Sequence, residues 1–225
     1  MRKRKRINCV LLLVMLAFAV TFGITARQVF ERQSEYSEAR DEYDELRELV
    51  GVMIIPHPYV PENIQTNDYG ADESAPEYEQ QEGIDFNALF AINPRTIGWL
   101  YLPGSRISYP IAQGDDNHHY LRHTFSGRRN NSGAIFLDYR DEPDFVSRAK
   151  IYGHNMNDGS MFGTLRSWNG DRFYIHTPDG VIVFTVTWRG SLPLTEVVQL
   201  DGVALITCVN GNPNVRYVVR AERIY

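Results

Sequence analysis

Val181-Ile-Val-Phe-Thr-Val-Thr-Trp188 contains six β-branched and two aromatic residues and nothing else. Such side chains fit a pleated, half-buried surface, so the run reads as a β-strand. Working outward, similar strand signals recur at 97–102, 106–111, 133–137, 149–153, 172–176, 203–208 and 215–224, with Gly and Pro between them. Many short strands separated by turns predict a mainly β fold, a closed barrel of about eight strands. Arg216-Tyr-Val-Val-Arg-Ala-Glu-Arg-Ile224 reads as the closing strand. Short helices are expected at 117–122 and 159–167, and Asp85 is placed to cap another at Phe86 to Ala91. The compact domain spans 84–225, long enough for one hydrophobic core.

The N-terminal third is organised differently. Residues 1–8 form a basic tail, with five positive charges in Met1-Arg-Lys-Arg-Lys-Arg6. Residues 9–26 carry no charge. As a helix they rise about 27 Å, close to the hydrocarbon thickness of a bilayer. A transmembrane anchor is therefore expected, with the basic tail in the cytoplasm and the bulk of the chain outside. A cleaved signal peptide is the competing reading, but Ile24 stands at the −3 position of the only plausible cleavage point, which favours an uncleaved anchor. Residues 27–50 read as an amphipathic helix, from Val29, Phe30, Tyr36, Tyr43, Leu46 and Val50 with charged residues between them. That helix is either a stalk or packed on the domain. Residues 51–83 carry seven acids and no base, with four prolines, and read as an acidic linker. The compact domain has a net charge of +1 and no basic stripe. Nucleic-acid binding is accordingly not expected.

Two cysteines are present, Cys9 and Cys208. Cys9 falls in the apolar segment and Cys208 beyond it, so the topology forbids pairing within one chain. Cys208 is then an unpaired thiol in an extracytoplasmic domain, either a small buried hydrophobe or a reactive group. It ends the apolar run Val203-Ala-Leu-Ile-Thr-Cys208. His154 follows another apolar strand and sits in a Gly/Asn-rich loop, where a rigid scaffold presents functional side chains. It can supply the cation that makes a thiolate, or act as base and then acid. Arg216 can stabilise an oxyanion, or can be a strand-surface arginine like Arg220 and Arg223. His118 and His119 are adjacent and lack partners of metal-ligand spacing, so no metal or other cofactor is expected.

Ile151-Tyr-Gly-His-Asn-Met156, Ala204-Leu-Ile-Thr-Cys208 and Arg216-Tyr-Val-Val resemble the His, Cys and Arg motifs of sortases. The usual cysteine motif is Thr-Leu-x-Thr-Cys, with Ala204 here in the first place. Ile97-Gly-Trp-Leu-Tyr-Leu, Tyr109-Pro-Ile-Ala-Gln-Gly114, Asp116-Asn-His-His-Tyr-Leu121, Ser132-Gly-Ala-Ile-Phe-Leu-Asp138 and Gly159-Ser-Met-Phe162 resemble class B sortases in order and spacing. The likeness covers 84–225. It implies a sortase-type barrel and a membrane-anchored cysteine transpeptidase of a Gram-positive cell surface, with its catalytic domain extracellular. Cys208, His154 and Arg216 would be its catalytic residues. Asn117, Leu121, Thr207 and Ile206 would line the substrate site. The implied partners are secreted surface proteins bearing a C-terminal sorting signal, of Asn-Pro-x-Thr or Leu-Pro-x-Thr-Gly type. The acceptor would be an amine of a cell-wall precursor or pilin.

Two departures bear on the signal. Class B sortases carry a long helix-bearing insertion before the cysteine strand, and here about fourteen residues, 189–202, fill that place. Ile206 replaces a small polar residue, which makes the groove more apolar. Leu192-Pro-Leu-Thr-Glu196 resembles a sorting signal but lies inside the domain. Two other functions compete: an L,D-transpeptidase-like cell-wall cysteine enzyme, and a catalytically inactive sortase-like binding domain. The Tyr-Gly-His-Asn-Met motif speaks against the former, and a thiol inert to mild alkylation would mark the latter.

Overall fold

The computed structural model describes residues 2–51, 83–146 and 148–224, with side chains from residue 14 onward. The acidic linker expected over 51–83 lies, apart from its two end residues, outside the described residues. So do the side chains of the basic tail and of Cys9. Eight strands close into one barrel: β1 (Thr96–Tyr101), β2 (Ser108–Gln113), β3 (Ile135–Leu137), β4 (Arg148–Tyr152), β5 (Arg172–Thr177), β6 (Gly180–Pro193), β7 (Gly202–Val209) and β8 (Asn212–Arg223). Their order around the barrel is β1-β2-β3-β4-β7-β8-β6-β5. The expected closed barrel of about eight strands is present. β6 contains the strand expected over 181–188, and it forms an antiparallel hairpin with β5. Only β2–β3 and β4–β7 pair in parallel, and the latter decides the placement of the site.

Strand alternation sorts the side chains of β4, β7 and β8. Ala149 and Ile151, Val203 and Leu205, and Tyr217, Val219 and Ala221 face the main core. Their neighbours Ala204, Ile206 and Val218 face outward, where a second, smaller cluster covers them with Val197 and Leu200. Those last two residues belong to the connection between β6 and β7. β6 runs on to Pro193, five residues past the expected strand end, and pairs with β8 along that extension. Only residues 194–201 then remain as a connection, and they hold a single helical turn, α3 (Leu194–Val197). Extended pairing won because the 189–193 backbone finds a ladder on β8, whereas an isolated short helix is marginal.

α1 (Arg2–Leu49) is one continuous helix of 48 residues. Its N-terminal apolar part is exposed from Val14 through Phe30, and by length and composition it is enough to cross a membrane. Its C-terminal part docks on the barrel and buries Ala39, Glu42, Tyr43 and Leu46, with Val50 buried in the turn just after it. The stalk and the packed helix are thus one element. α2 (Phe86–Ile92) starts as expected, with the Asp85 carboxylate accepting from the Ala88 N–H at 3.0 Å. The two other expected helices differ. Within 117–122 there is one 3-10 turn, His119–Leu121, and 159–167 is a chain of turns. Gly159 has φ +81° and Met161 φ +51°, left-handed conformations that no α-helix accommodates.

Candidate functional site

The parallel ladder between β4 and β7 places Tyr152 opposite Ile206. Gly153 continues it, donating its N–H to the Ile206 carbonyl at 3.2 Å. Two residues beyond that pair on each strand stand His154 and Cys208. On the other side of β7, the antiparallel ladder to β8 places Arg216 opposite Cys208. The register therefore sets the three residues level with one another on three adjacent strands. Parity puts all three on the outward face, with Tyr152, Ile206 and Val218 a step below. Cys208 is exposed, and His154 and Arg216 are partly so. Thus a free thiol, an imidazole and a guanidinium converge on an accessible surface.

Each group is held by its surroundings. The His154 Nε2 lies 2.9 Å from the Leu121 carbonyl. A carbonyl only accepts, so Nε2 carries hydrogen and Nδ1 is the nitrogen free to exchange a proton in the neutral ring. The His154 carbonyl accepts from the Phe162 N–H at 2.9 Å. Asn155 Nδ2 donates to the Cys208 carbonyl at 3.0 Å and to Asn210 Oδ1 at 3.3 Å, joining the histidine loop to the end of the cysteine strand. Arg216 donates through Nη1 to the carbonyls of Pro213 (2.7 Å) and Val215 (3.0 Å).

The residues implied as substrate-binding fall into two groups. Leu121 is exposed and Asn117 half-buried, and Asn117 Oδ1 accepts from the Tyr139 N–H at 3.1 Å. Ile206 and Thr207 are buried. Ile206 belongs to the small outward cluster under α3, and the Thr207 hydroxyl turns inward to donate to the Gly153 carbonyl at 2.7 Å. A shallow depression of about 380 Å³ lies farther along the same outer face, lined by residues such as Trp188, Leu192, Glu196 and Arg220. Leu192 is the β6 partner of Arg216.

A charged network underlies β3 and β4. The buried Asp141 carboxylate accepts from Lys150 Nζ with both oxygens at 2.8 Å and from Arg148 Nε at 2.6 Å. Arg140 grips buried Asp138 with two bonds, at 2.9 and 2.7 Å, and the Tyr152 hydroxyl donates to the same carboxylate at 3.3 Å. Burial pushes the Asp138 carboxyl up, but the bonds from Arg140 and Asn117 outweigh it and hold it at about 2. Burial and the Asp138 charge raise the Tyr152 phenol in turn. This network sits directly behind Asn117 and Tyr152.

Sequence reasoning overlooked several supporting groups. Asn155 is inside the quoted His motif, and its short amide beside a candidate histidine was the available signal. The partner of His154 is the backbone carbonyl of Leu121, which no side-chain pattern reveals. Gly133 is tighter still: at φ +62°, a Cβ there would come within 2.4 Å of the Tyr120 carbonyl and 3.1 Å of the His154 ring.

Residues 100–224 match the sortase domain family. Over 91 residues, 40% of this chain, the sequence is 41% identical to sortase B of Listeria monocytogenes. Over 173 residues, 76% of this chain, it is 26% identical to sortase B of Staphylococcus aureus. The matched stretches span 37% and 61% of those relatives' lengths. The chain superposes on sortase B from Bacillus anthracis, solved in complex with AAEK1, with a TM-score of 0.60 and 22% identity, over 84% of this chain and 99% of that one.

Proposed function

The chain belongs to the sortase family, and from that premise we propose that it is a membrane-anchored cysteine transpeptidase of class B type. The observation that carries the reading is the register that sets His154, Cys208 and Arg216 level on one accessible face. Cys208 passes its thiol proton to His154, and its Sγ attacks the threonine carbonyl of a sorting signal in a secreted protein. A C–S bond forms and the carbonyl oxygen takes the negative charge. Arg216, whose hydrogen bonds among the described residues run through Nη1, has Nε and Nη2 to offer that oxygen. The C–N bond breaks as His154 protonates the leaving amine, and a thioester remains. An amine of a wall precursor or pilin then gives its proton to His154 and attacks the thioester, releasing Cys208.

Leu121 and Asn117 are the accessible members of the signal site, and the Arg140–Asp138 network holds Asn117 and Tyr139 behind it. Ile206 and Thr207 act from beneath, Ile206 as floor and Thr207 by tying the Cys208 strand to Gly153. Residues 9–26 anchor the chain with residues 1–8 in the cytoplasm and the barrel outside. From Ala26 to Glu35, where docking begins, the helix rises about 14 Å, which sets the barrel's standoff from the bilayer.

The test uses full-length protein in detergent with quenched Asn-Pro-x-Thr and Leu-Pro-x-Thr-Gly peptides. Mass spectrometry should find the acyl group on Cys208, and Cys208→Ala should abolish turnover without lowering the melting temperature. Turnover that survives in Cys208→Ala refutes the mechanism.

A further inference from the structure

The helix that carries the apolar anchor also reaches the back of the histidine. Buried Tyr43 on α1 accepts from the Phe125 N–H at 3.2 Å and donates to the Gly133 carbonyl at 2.9 Å. Those two residues bracket a loop whose neighbours hold His154 from two sides. Leu121, just before it, supplies the carbonyl that meets His154 Nε2. Gly133, at its end, abuts the His154 ring so closely that a single added methyl would press on it. Ala134 ties the two together, donating its N–H to the Tyr120 carbonyl at 2.9 Å.

More of α1 grips the same loop. Glu42, also buried, accepts from the Ser126 N–H (3.0 Å) and from Arg128 Nε (3.0 Å). The Glu35 carbonyl accepts from Asn130 Nδ2 at 2.8 Å. A second route runs through Tyr109, whose ring meets Tyr43 edge-on at 5.1 Å. The Tyr109 hydroxyl accepts from the N–H of Met161 at 3.1 Å, and Met161 bridges to Asn155. Met161 holds a left-handed backbone at φ +51°, a strained conformation that persists only where surrounding contacts impose it.

We propose that Tyr43 is a positioning residue for His154, so that docking of the anchor helix completes the catalytic geometry of the barrel. The proposal rests on the transpeptidase reading only for its kinetic consequence. The hydroxyl joins a helix fixed in the membrane to a loop that sets one side and one hydrogen bond of the imidazole. Losing it frees the loop to shift, and a displacement of about 1 Å at a reacting group costs up to a hundredfold in rate.

The test compares Tyr43→Phe and Glu42→Gln with wild type in the full chain, in detergent. Ile182→Ala, which opens a cavity at the far end of β6, serves as a control for lost stability alone. Tyr43→Phe should lower kcat about tenfold with KM unchanged, and Glu42→Gln should lower it less. The His154 ring resonances, assigned by their loss in His154→Ala, should move in both variants and stay in place in Ile182→Ala. An unmoved resonance in Tyr43→Phe, an unchanged kcat, or an equal kcat loss in Ile182→Ala at matched melting temperature overturns the proposal. If wild type cleaves no peptide, the transpeptidase reading falls, and the ring resonances still decide the coupling.

Discussion

Asn155 offers a sharp test of how the site is assembled, because its amide spans two segments that the sequence separates by more than fifty residues. Its Nδ2 donates to the Cys208 carbonyl and to Asn210 Oδ1, both acceptors. Asn155→Ala removes both bonds from an exposed position where water replaces them, so the stability loss should be about 1 kcal/mol or less. The kinetic loss should be larger, because the bonds fix the cysteine strand end relative to the histidine loop. We expect kcat/KM to fall tenfold to a hundredfold, mostly in kcat. Asn155→Asp is the stricter variant. It preserves shape, yet it replaces the donor with a carboxylate facing two oxygens, so the attraction becomes repulsion. Its activity should fall below that of Asn155→Ala. Peptide cleavage and thermal unfolding on the same preparations supply both readouts. An aspartate variant with wild-type kcat would refute the reasoning, since no donor would then be needed at that point.

Other perturbations separate the remaining parts. Arg216→Ala should lower kcat a hundredfold or more, as loss of an oxyanion donor does, while Arg220→Ala, on the same face four residues along, should leave kcat close to wild type; the reverse pattern in peptide assays would shift the register. Lys150→Met leaves the buried Asp141 carboxylate without its buried cation, with only half-exposed Arg148 still bonded to it, and should destabilise the barrel by about 3 kcal/mol in urea melts. Asp138 is held at about 2, below an ordinary carboxyl near 3.9. Its contribution is full above pH about 4 and lost as pH falls through about 2, so Asp138→Asn should be less stable at neutral pH and should flatten acid unfolding in that window.

Strand placement was legible because the period-2 signal is local: the expected 172–176 run is one residue short of β5 at one end, and the expected 203–208 run is one residue short of β7 at each end. The 159–167 segment misled because Met161-Phe-Gly-Thr-Leu-Arg has helix-compatible composition, while its conformation is set by distant partners such as the Tyr109 hydroxyl. The end of β6 was underestimated for a related reason. Gly190 and Pro193 weaken a strand by propensity, yet β8 supplies the pairing through Pro193. The candidate triad could be named from residue types and motifs, whereas its support could not. The Leu121 carbonyl, the Gly133 contact and the Tyr43 hydroxyl act through backbone atoms, which leave no trace in side-chain patterns.

The parallel β4–β7 pairing explains why residues so far apart form one site. Parallel neighbours end on the same side of a sheet, so the ladder alone brings the residues just past each end level, and the contacts between the two loops only refine that placement. An antiparallel pairing at the same position would have sent His154 and Cys208 to opposite rims. β8 returns antiparallel from a tight turn at 210–211, which brings Arg216 back beside the cysteine it follows by eight residues. One parallel and one antiparallel ladder therefore suffice to set the thiol between imidazole and guanidinium. Fine adjustment is left to whatever holds the loop of each residue. For Cys208 that is Asn155 and Thr207. For His154 it is the 120–134 segment, which α1 grips from behind.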